Sequence, residues 1–284
     1  MARDHRDPNT FGLFRREGDE LIPQDLARSL WKADQMHGVA TSAALGRAVE
    51  QAAIGQGRDD LQPARFTVDL CKAPSMNACT TATEILREGP RILVIDASLI
   101  QDGETVAQAR ALFLKPGETP SGLVWTESET PQPPPLEVAP ITDDPHVPFF
   151  FSDAGWSQNF AVHQNPGRKK MWQTTLPVVI GEPTTPFQGL AGAADSTSMV
   201  VNWGADGVQH INTDITMSIS RLPASREVGF SALTWHAHEG IATGTAVIFD
   251  RQGVLGTSTV TSLGNAKRSV DFTSTDVLGE IGMA

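Results

Sequence analysis

Small and apolar residues dominate two stretches of the chain, 37–53 and 184–201, and this pattern predicts two helices. In the second stretch a threonine followed by Pro186 is a typical helix start, because proline is tolerated in the first turn. Asp195 is the only carboxylate in that stretch. Since burying an unpaired charge is costly, we expect Asp195 to be either paired with a neighbouring polar group or functional.

Alternating apolar and polar residues follow each predicted helix and indicate β-strands. In the first half of the chain the pattern predicts strands at 64–71, 79–87, 91–100 and 105–114. In the second half it predicts strands at 158–163, 171–180, 211–221, 228–236, 241–250 and 254–263. Glycine-containing turns separate several of these segments, as antiparallel hairpins require.

The two halves repeat one another in register. The Lys-Ala-Pro run at 72–74 and the Arg-Leu-Pro run at 221–223 are 149 residues apart, and the turns at 102–103 and 252–253 are 150 apart. Each half is then a helix followed by an antiparallel sheet. Because four or five strands cannot bury an apolar face alone, we expect the helix to fill the concave side of its sheet.

The repeat divides the chain into four segments. We expect an N-terminal unit at 1–115, a proline-rich linker at 116–150, a C-terminal unit at 151–267 and a weakly patterned tail at 268–284. The linker composition favours extended chain, and a long loop packed on the surface is the alternative.

Composition narrows the classes of partner. The formal net charge is −11 and no basic patch dominates, which argues against nucleic acid and anionic membranes as partners. No apolar run is long enough for a membrane span, and the N-terminus lacks the apolar segment of a signal peptide. Cys71 and Cys79 could form a disulfide, but free thiols in the cytoplasm are the favoured interpretation. The seven histidines show no metal-ligand spacing, so we expect no metal and no cofactor.

A helix wrapped by an antiparallel sheet, present twice in one chain, resembles the double-hotdog proteins, and among them the bacterial acyl-CoA thioesterase II type. The resemblance covers about residues 20–265 and is most specific at 86–113, 211–223 and 250–260. It implies an α+β fold, a tandem (double) hotdog with two antiparallel sheets that each wrap around a central helix. It also implies that the chain hydrolyses the thioester of a fatty acyl-CoA to free acid and CoA with an activated water.

The resemblance also implies the catalytic residues. In that family an Asp on the second helix, a Thr or Ser on the following strand and a Gln on the last strand hold the catalytic water. Asp195 matches the first position and Thr216 the second. Thr261 stands where the Gln is expected, and its shorter side chain predicts a slow enzyme.

The start of the first helix is the predicted substrate-binding element. Gly38 and the N–H groups beside it are expected to polarise the thioester carbonyl, and His37 precedes them. A plain helix start is the alternative interpretation of both residues. Glu50, the acid on the first helix, is interpreted as paired or solvated.

Two further questions stay open at this level. A non-catalytic acyl-CoA or acyl-chain binding protein on the same fold is the alternative function, because a fold alone does not fix an activity. Hotdog sheets expose edges and faces that need cover, so we expect a homodimer or a larger oligomer.

Overall fold

Both stretches that were predicted to be helical contain helices. The computed structural model describes residues 10–126 and 129–273 of the chain. Within them the α-helices are α1 (Gly38–Gly55), α2 (Phe160–His163), α3 (Pro186–Ala193) and α4 (Ser196–Asn202). Most of the predicted tail, residues 274–284, lies outside the described part of the chain.

The strands alternate with these helices in two similar blocks. The first block contains β1 (Phe14–Glu17), β2 (Glu20–Pro23), β3 (Gln62–Asp69), β4 (Thr80–Gly89), β5 (Ile92–Gln101) and β6 (Glu104–Leu114). The second contains β7 (Phe149–Ser152), β8 (Gly155–Ser157), β9 (Lys170–Thr174), β10 (Trp203–Gly204), β11 (Gly207–Val208), β12 (His210–Asn212), β13 (Asp214–Ile219), β14 (Glu227–His238), β15 (Ile241–Asp250) and β16 (Gly253–Gly264). The four strands predicted after the first helix are confirmed.

One predicted strand, 158–163, is wrong. Residues from Phe160 onward form the short helix α2 instead. The side chain of Asn159 accepts a hydrogen bond from the N–H of Ala161 at 3.1 Å, which satisfies a free donor at the helix start. The alternation of apolar residues in so short a segment does not distinguish a strand from one helical turn.

The two antiparallel sheets that the resemblance implies join edge to edge into one continuous sheet. Its antiparallel strands run in the order β4-β5-β6-β3-β13-β16-β15-β14-β9-β7-β8, and β12 pairs with the end of β16. The halves join where β3 pairs with β13, with Thr67 directly opposite Thr216. These two threonines are 149 residues apart, so equivalent strands of the two units pair with each other at the centre of the sheet.

The small residues of the predicted helices serve helix–helix packing. α1 and α3 lie against each other, and a Cβ on Gly46 would come within 2.5 Å of the Cβ of Ala191. The hydroxyl of Ser42 donates to the carbonyl of Ala191 at 2.7 Å across the same contact. α1 also covers β4, β5 and β6, and α4 covers β14, β15 and β16. Each half of the sheet therefore has a helix on its inner face.

The second helical stretch is interrupted, although a single helix over 184–201 was predicted. Thr185 caps its start as expected, because its Oγ1 accepts from the N–H of Gln188 at 3.1 Å. The chain then tightens at Asp195, whose N–H donates to the carbonyl of Gly192 and whose carbonyl accepts from the N–H of Ser198. Such three-residue spacings replace the four-residue spacing of an α-helix, so α3 ends and α4 begins at this turn.

The second part of the linker packs on the C-terminal half. Arg251 pairs with the buried carboxylate of Glu227 and also donates to the carbonyls of Pro134 and Ala139. The hydroxyl of Thr174 donates to the carbonyl of Asp144 at 2.9 Å. This part of the linker follows the alternative interpretation, a loop fixed on the surface, while the division into four segments stays a prediction.

Candidate active site

Asp195 lies at the turn between α3 and α4, against the N-terminus of α1. Its Oδ1 accepts a hydrogen bond from Nδ2 of Asn212 at 2.9 Å, and the backbone N–H of Val39 also bonds to the carboxylate. A Cβ on Gly38 would collide with Asp195 Oδ1. Glycine is therefore required at this position for the carboxylate to reach the helix start.

The surroundings of Asp195 favour a basic carboxylate. Burial raises the pKa of Asp195, while the hydrogen bonds from Asn212 and from the N–H of Val39 oppose that rise. A carboxylate with a raised pKa takes a proton from water more readily than an exposed one. The positive end of the α1 dipole keeps the ionised form available.

His37 fixes the start of α1 through both ring nitrogens. Nδ1 accepts from the N–H of Ala40 at 3.0 Å, and Nε2 lies 2.8 Å from the carbonyl oxygen of Leu26. Since a carbonyl only accepts, Nε2 carries the proton and the ring is neutral. Burial lowers the pKa of His37, which agrees with this state. His37 is thus a helix cap beside the site, and neither nitrogen is available to a substrate.

Two cavities meet at Asp195, Asn212 and His37. One has a volume of about 240 Å³ and a mainly apolar lining that includes Leu30, Trp31, Met171, Met199, Val208 and Phe272. The other, about 160 Å³, is lined by Gly38, Thr41, Leu70, Lys72 and Pro74 among others. The carboxylate therefore stands between an apolar chamber and a smaller space that has a lysine at its edge.

A larger depression, about 680 Å³, lies on the outer face of the sheet. Its lining includes Thr67, Asp96 and Arg110, and the last two form an ion pair with 2.6 Å between Nε and Oδ1. A surface of paired charges does not suit an acyl chain, so the smaller apolar chamber beside Asp195 is the better candidate.

The structure does not bring Thr216 or Thr261 to Asp195. Thr216 alternates with Ile215 and Met217, which point into the core, so its side chain lies on the outer face with Thr67 and Thr259. Thr261 is exposed on the same outer face.

The physical reason is that the alternation of inward and outward side chains is interrupted between β12 and β13, although the alternation of residue types in the sequence continues. β12 and β13 both pair with β16, but the register shifts by one residue between Asn212 opposite Ser262 and Thr216 opposite Thr259. Asn212 consequently faces inward, while Thr216, which uniform alternation would place on the same face, points outward. The polar partner of Asp195 is Asn212, which the sequence pattern predicts as an ordinary residue on a polar strand face.

Two family models match the chain in succession. Residues 27–114 match the acyl-CoA thioesterase N-terminal domain, and residues 118–263 match the acyl-CoA thioesterase C-terminal domain. The chain belongs to the acyl-CoA thioesterase family. It is a thioester hydrolase whose substrate is an acyl-CoA, as the resemblance implied. No curated protein matches the sequence.

Solved structures similar to this thioesterase share its fold at low sequence identity. The TesB protein of Mycobacterium avium subspecies paratuberculosis is 16% identical, with a TM-score of 0.62 over 88% of this chain and 95% of its own. A hotdog-fold protein of unknown function from Alicyclobacillus acidocaldarius is 17% identical, with a TM-score of 0.62 over 88% and 95%. Acyl-CoA thioesterase II TesB2 of Mycobacterium marinum is 15% identical, with a TM-score of 0.55 over 84% and 96%. The thioesterase therefore has a hotdog fold with a large antiparallel sheet.

The described residues of the thioesterase contain no helix that is long and apolar enough to cross a membrane. Among the same residues no group of three or more His, Cys, Asp or Glu side chains is placed to hold a metal ion.

Proposed function

We propose that Asp195 is the general base with which this thioesterase activates water. The observation that supports this role is the position of its carboxylate, which stands at the junction of the two cavities and against the start of α1. Asn212 donates to one carboxylate oxygen at 2.9 Å, and the N–H of Val39 also bonds to the carboxylate, so the protein orients the proposed base. A positioned base of this kind contributes about 10²- to 10⁴-fold to a rate.

The reaction follows from this arrangement. Asp195 takes a proton from a water molecule, and the water oxygen attacks the carbonyl carbon of the thioester. Negative charge develops on the carbonyl oxygen, which the N–H of Gly38 and the positive end of the α1 dipole stabilise. The carbon–sulfur bond then breaks, and the leaving thiolate recovers the proton from Asp195. The products are the free acid and the thiol of CoA.

The two cavities divide the substrate between them. The apolar chamber next to Met199 and Val208 takes the acyl chain, since removing methylene groups from water is favourable. The smaller cavity takes the arm that leads to CoA, with Lys72 at its edge. His37 acts in this scheme as the cap that keeps Gly38 in place.

The test is release of free thiol from a panel of acyl-CoA substrates by wild type and Asp195→Asn. We expect the substitution to lower kcat by about 10² or more, because an amide cannot accept the proton. Asp206→Asn, the same change at an exposed loop residue, is the matched control and should leave kcat unaltered. Full thiol release by Asp195→Asn would place the base elsewhere. Acyl-CoA binding without thiol release by wild type would favour the non-catalytic alternative.

The finer architecture and the assembly are also proposals. The chain is a tandem hotdog whose two units divide at the linker, with α1 as the central helix of one and the α3–α4 pair as that of the other. The sheet ends at β4, which carries the exposed apolar residues Ile85 and Leu86 at its open edge. Such an edge invites a second copy, and light scattering should give a mass above that of the 30.5 kDa monomer.

A cytoplasmic location in lipid metabolism fits the substrate class and the thiols. Cys71 is exposed and free, and Cys79 is buried and free. Free thiols of this kind persist in a reducing compartment. Cell fractionation tests the location, and we expect to detect the protein in the cytosolic fraction and not in the membrane fraction.

A further inference from the structure

Residues 265–273, which follow the last strand, return to the apolar cavity. Val270 forms a two-way backbone pair with Val208, with N–O distances of 3.0 and 3.2 Å. Gly207 has a φ of +82°, and a Cβ there would collide with the carbonyl of Val270. The turn at Gly207 is thus shaped to receive this returning segment.

A second anchor holds the segment two residues later. Oε1 of Gln164 accepts from the N–H of Phe272 at 2.9 Å, and Nε2 of the same side chain donates to Oδ1 of Asp271 at 2.9 Å. The ring of Phe272 lies 4.7 Å from the ring of Trp203 and 5.3 Å from that of Phe160, measured between centroids. Residues 265–273, which we name the closing segment, are therefore built into the fold.

The closing segment lines the cavity and contacts the residue at the C-terminal end of α4, whereas the candidate base stands at the N-terminal end of α4. Val270 and Phe272 line the 240 Å³ cavity and are only 9% and 5% exposed. Phe272 contacts Trp203, which follows Asp195 by eight residues, a separation of about 12 Å at the rise of a helix. An acyl chain that enters past Asp195 would therefore reach Phe272 with its methyl end.

The volume of the cavity sets a scale for the acyl chain. A methylene group takes up roughly the ~30 Å³ that a water molecule occupies in the liquid, so 240 Å³ holds about eight of them. A longer chain would have to displace a side chain of the closing segment.

We propose that the closing segment is the end wall of the acyl site, and that Val270 and Phe272 limit the length of the acyl chain. This inference rests on the proposed function, because it assigns the apolar cavity to the acyl chain. It gives the residues after β16 a part in substrate selection.

The test compares kcat/KM for straight-chain acyl-CoA substrates from about four to sixteen carbons. Each added methylene that finds apolar room is worth about fourfold. Room for two further methylenes is then worth about 16-fold, so Phe272→Ala should raise the ratio of kcat/KM for twelve carbons to that for eight by about tenfold or more. Val270→Phe should lower the same ratio, since it fills the cavity from the same side.

Two further variants keep the test decisive. Phe151→Ala removes the same atoms from a ring that packs on Trp156, outside the cavity, and should leave the ratio unaltered. If Phe272→Ala does not fold, the milder Phe272→Leu takes its place and should shift the ratio in the same direction. Folded, active variants with the wild-type chain-length profile would overturn the end wall while leaving the thioesterase mechanism intact.

A binding experiment separates the failure of this inference from a failure of the proposed function. If wild type releases no thiol from any substrate, the proposed function is wrong. Titration with non-hydrolysable thioether analogues of the same chain lengths then tests whether the closing segment limits the length of the bound acyl chain. A shift of the tightest-binding analogue to longer chains in Phe272→Ala supports the end wall, and an unchanged Kd profile overturns it.

Discussion

The starts of α1 and α3 are equivalent positions of the two repeated units, and only one of them is open. His37 caps α1 and Thr185 caps α3. Each start also receives a carboxylate from the other unit, Asp195 at α1 and Glu50 at α3. A carboxylate thus lies at a helix N-terminus in both halves of the molecule, but the surroundings of the two carboxylates differ.

The difference lies in the residues at matching positions. The two caps are 148 residues apart, so Gly38 of α1 corresponds to Pro186 of α3, and Phe187 is the next residue. Phe187 is fully buried and packs edge-on against Phe66, with 5.6 Å between centroids. An aromatic ring is therefore packed in the first turn of α3, whereas two cavities lie open at the start of α1, where Gly38 stands.

The two carboxylates also differ in their partners. Oε2 of Glu50 accepts from the hydroxyl of Thr185 and from Nε2 of Gln188, both at 2.7 Å. Burial raises the pKa of Glu50, and these two bonds oppose the rise. Glu50 therefore joins two helices, whereas Asp195 faces a space that a substrate can enter. A repeated fold can keep one catalytic site and use its counterpart for packing.

The largest effect in this comparison is expected from Gly38→Ala. This substitution adds a side-chain carbon at the start of α1, where α3 already has larger side chains. The new Cβ would collide with Oδ1 of Asp195 and displace the carboxylate from the helix start. We expect kcat to fall by about 10² or more, as for loss of a positioned base. Gly55→Ala, at the end of the same helix with open space around it, is the control. Equal activity of the two variants would contradict the placement of Asp195.

The second effect concerns Asn212 and the dependence of activity on pH. The proposed mechanism requires ionised Asp195, so kcat/KM should fall as the pH falls through the raised pKa of this carboxyl group. Asn212→Ala removes a hydrogen bond that favours the ionised form, which raises this pKa further and moves the acid limb to higher pH. We also expect about a tenfold lower rate at the plateau, because the carboxylate loses its orientation.

The control for this profile is Asn77→Ala, which changes an exposed amide that lines neither of the two cavities. A lower rate of Asn212→Ala with an unmoved acid limb would mean that Asn212 supports the strand and does not act on the carboxylate.

Glu50→Gln should have a small effect, because the amide oxygen of glutamine can still accept from Thr185 and Gln188. We expect kcat within about twofold of wild type and stability within about 1 kcal/mol at neutral pH. A raised pKa means that folded Glu50 keeps its proton to higher pH than unfolded Glu50 does. Wild-type stability therefore declines as the pH rises from 4.5 through that pKa, and the variant should lack this decline.

Urea unfolding at several pH values measures the decline, and thiol release measures the activity. A loss of hydrolysis in Glu50→Gln as large as in Asp195→Asn would break the comparison, because both helix starts would then be catalytic.

The sequence predicts the repeat, the strands after each helix and Asp195 because each depends on a local pattern or a residue type. It misses the break at Asp195, since the helix pattern of small residues continues on both sides of it. It also misses Asn212, because a one-residue register shift between β12 and β13 reverses the face of a strand without changing its alternation. The join between β3 and β13 is a contact 149 residues apart, which no local pattern carries.

The smallest effects are expected from Thr216→Val and Thr261→Val, which test the register shift directly. The hydroxyl of Thr216 donates to the hydroxyl of Thr67 at 3.4 Å on the outer face of the sheet. Thr261 bonds through its backbone, whose N–H donates to Asp214 at 2.7 Å, and valine keeps that bond. Valine is also a good strand residue, so we expect both variants to fold and to retain kcat within about twofold.

The outward position of the Thr261 side chain also affects the prediction that threonine in place of the family's glutamine makes the enzyme slow. If the side chain at 261 points outward, then Thr261→Gln adds an amide on the outer face and should leave turnover unaltered. A clear rise in kcat for Thr261→Gln, or a tenfold loss for Thr216→Val, would show that these side chains reach the water near Asp195. The register between β12 and β16 would then have to differ in the working enzyme, with Asn212 turned outward. Measuring Asn212→Ala beside these variants decides which residue faces Asp195. Successive side chains of a strand point to opposite faces of the sheet, and only one of these faces lies against the helices.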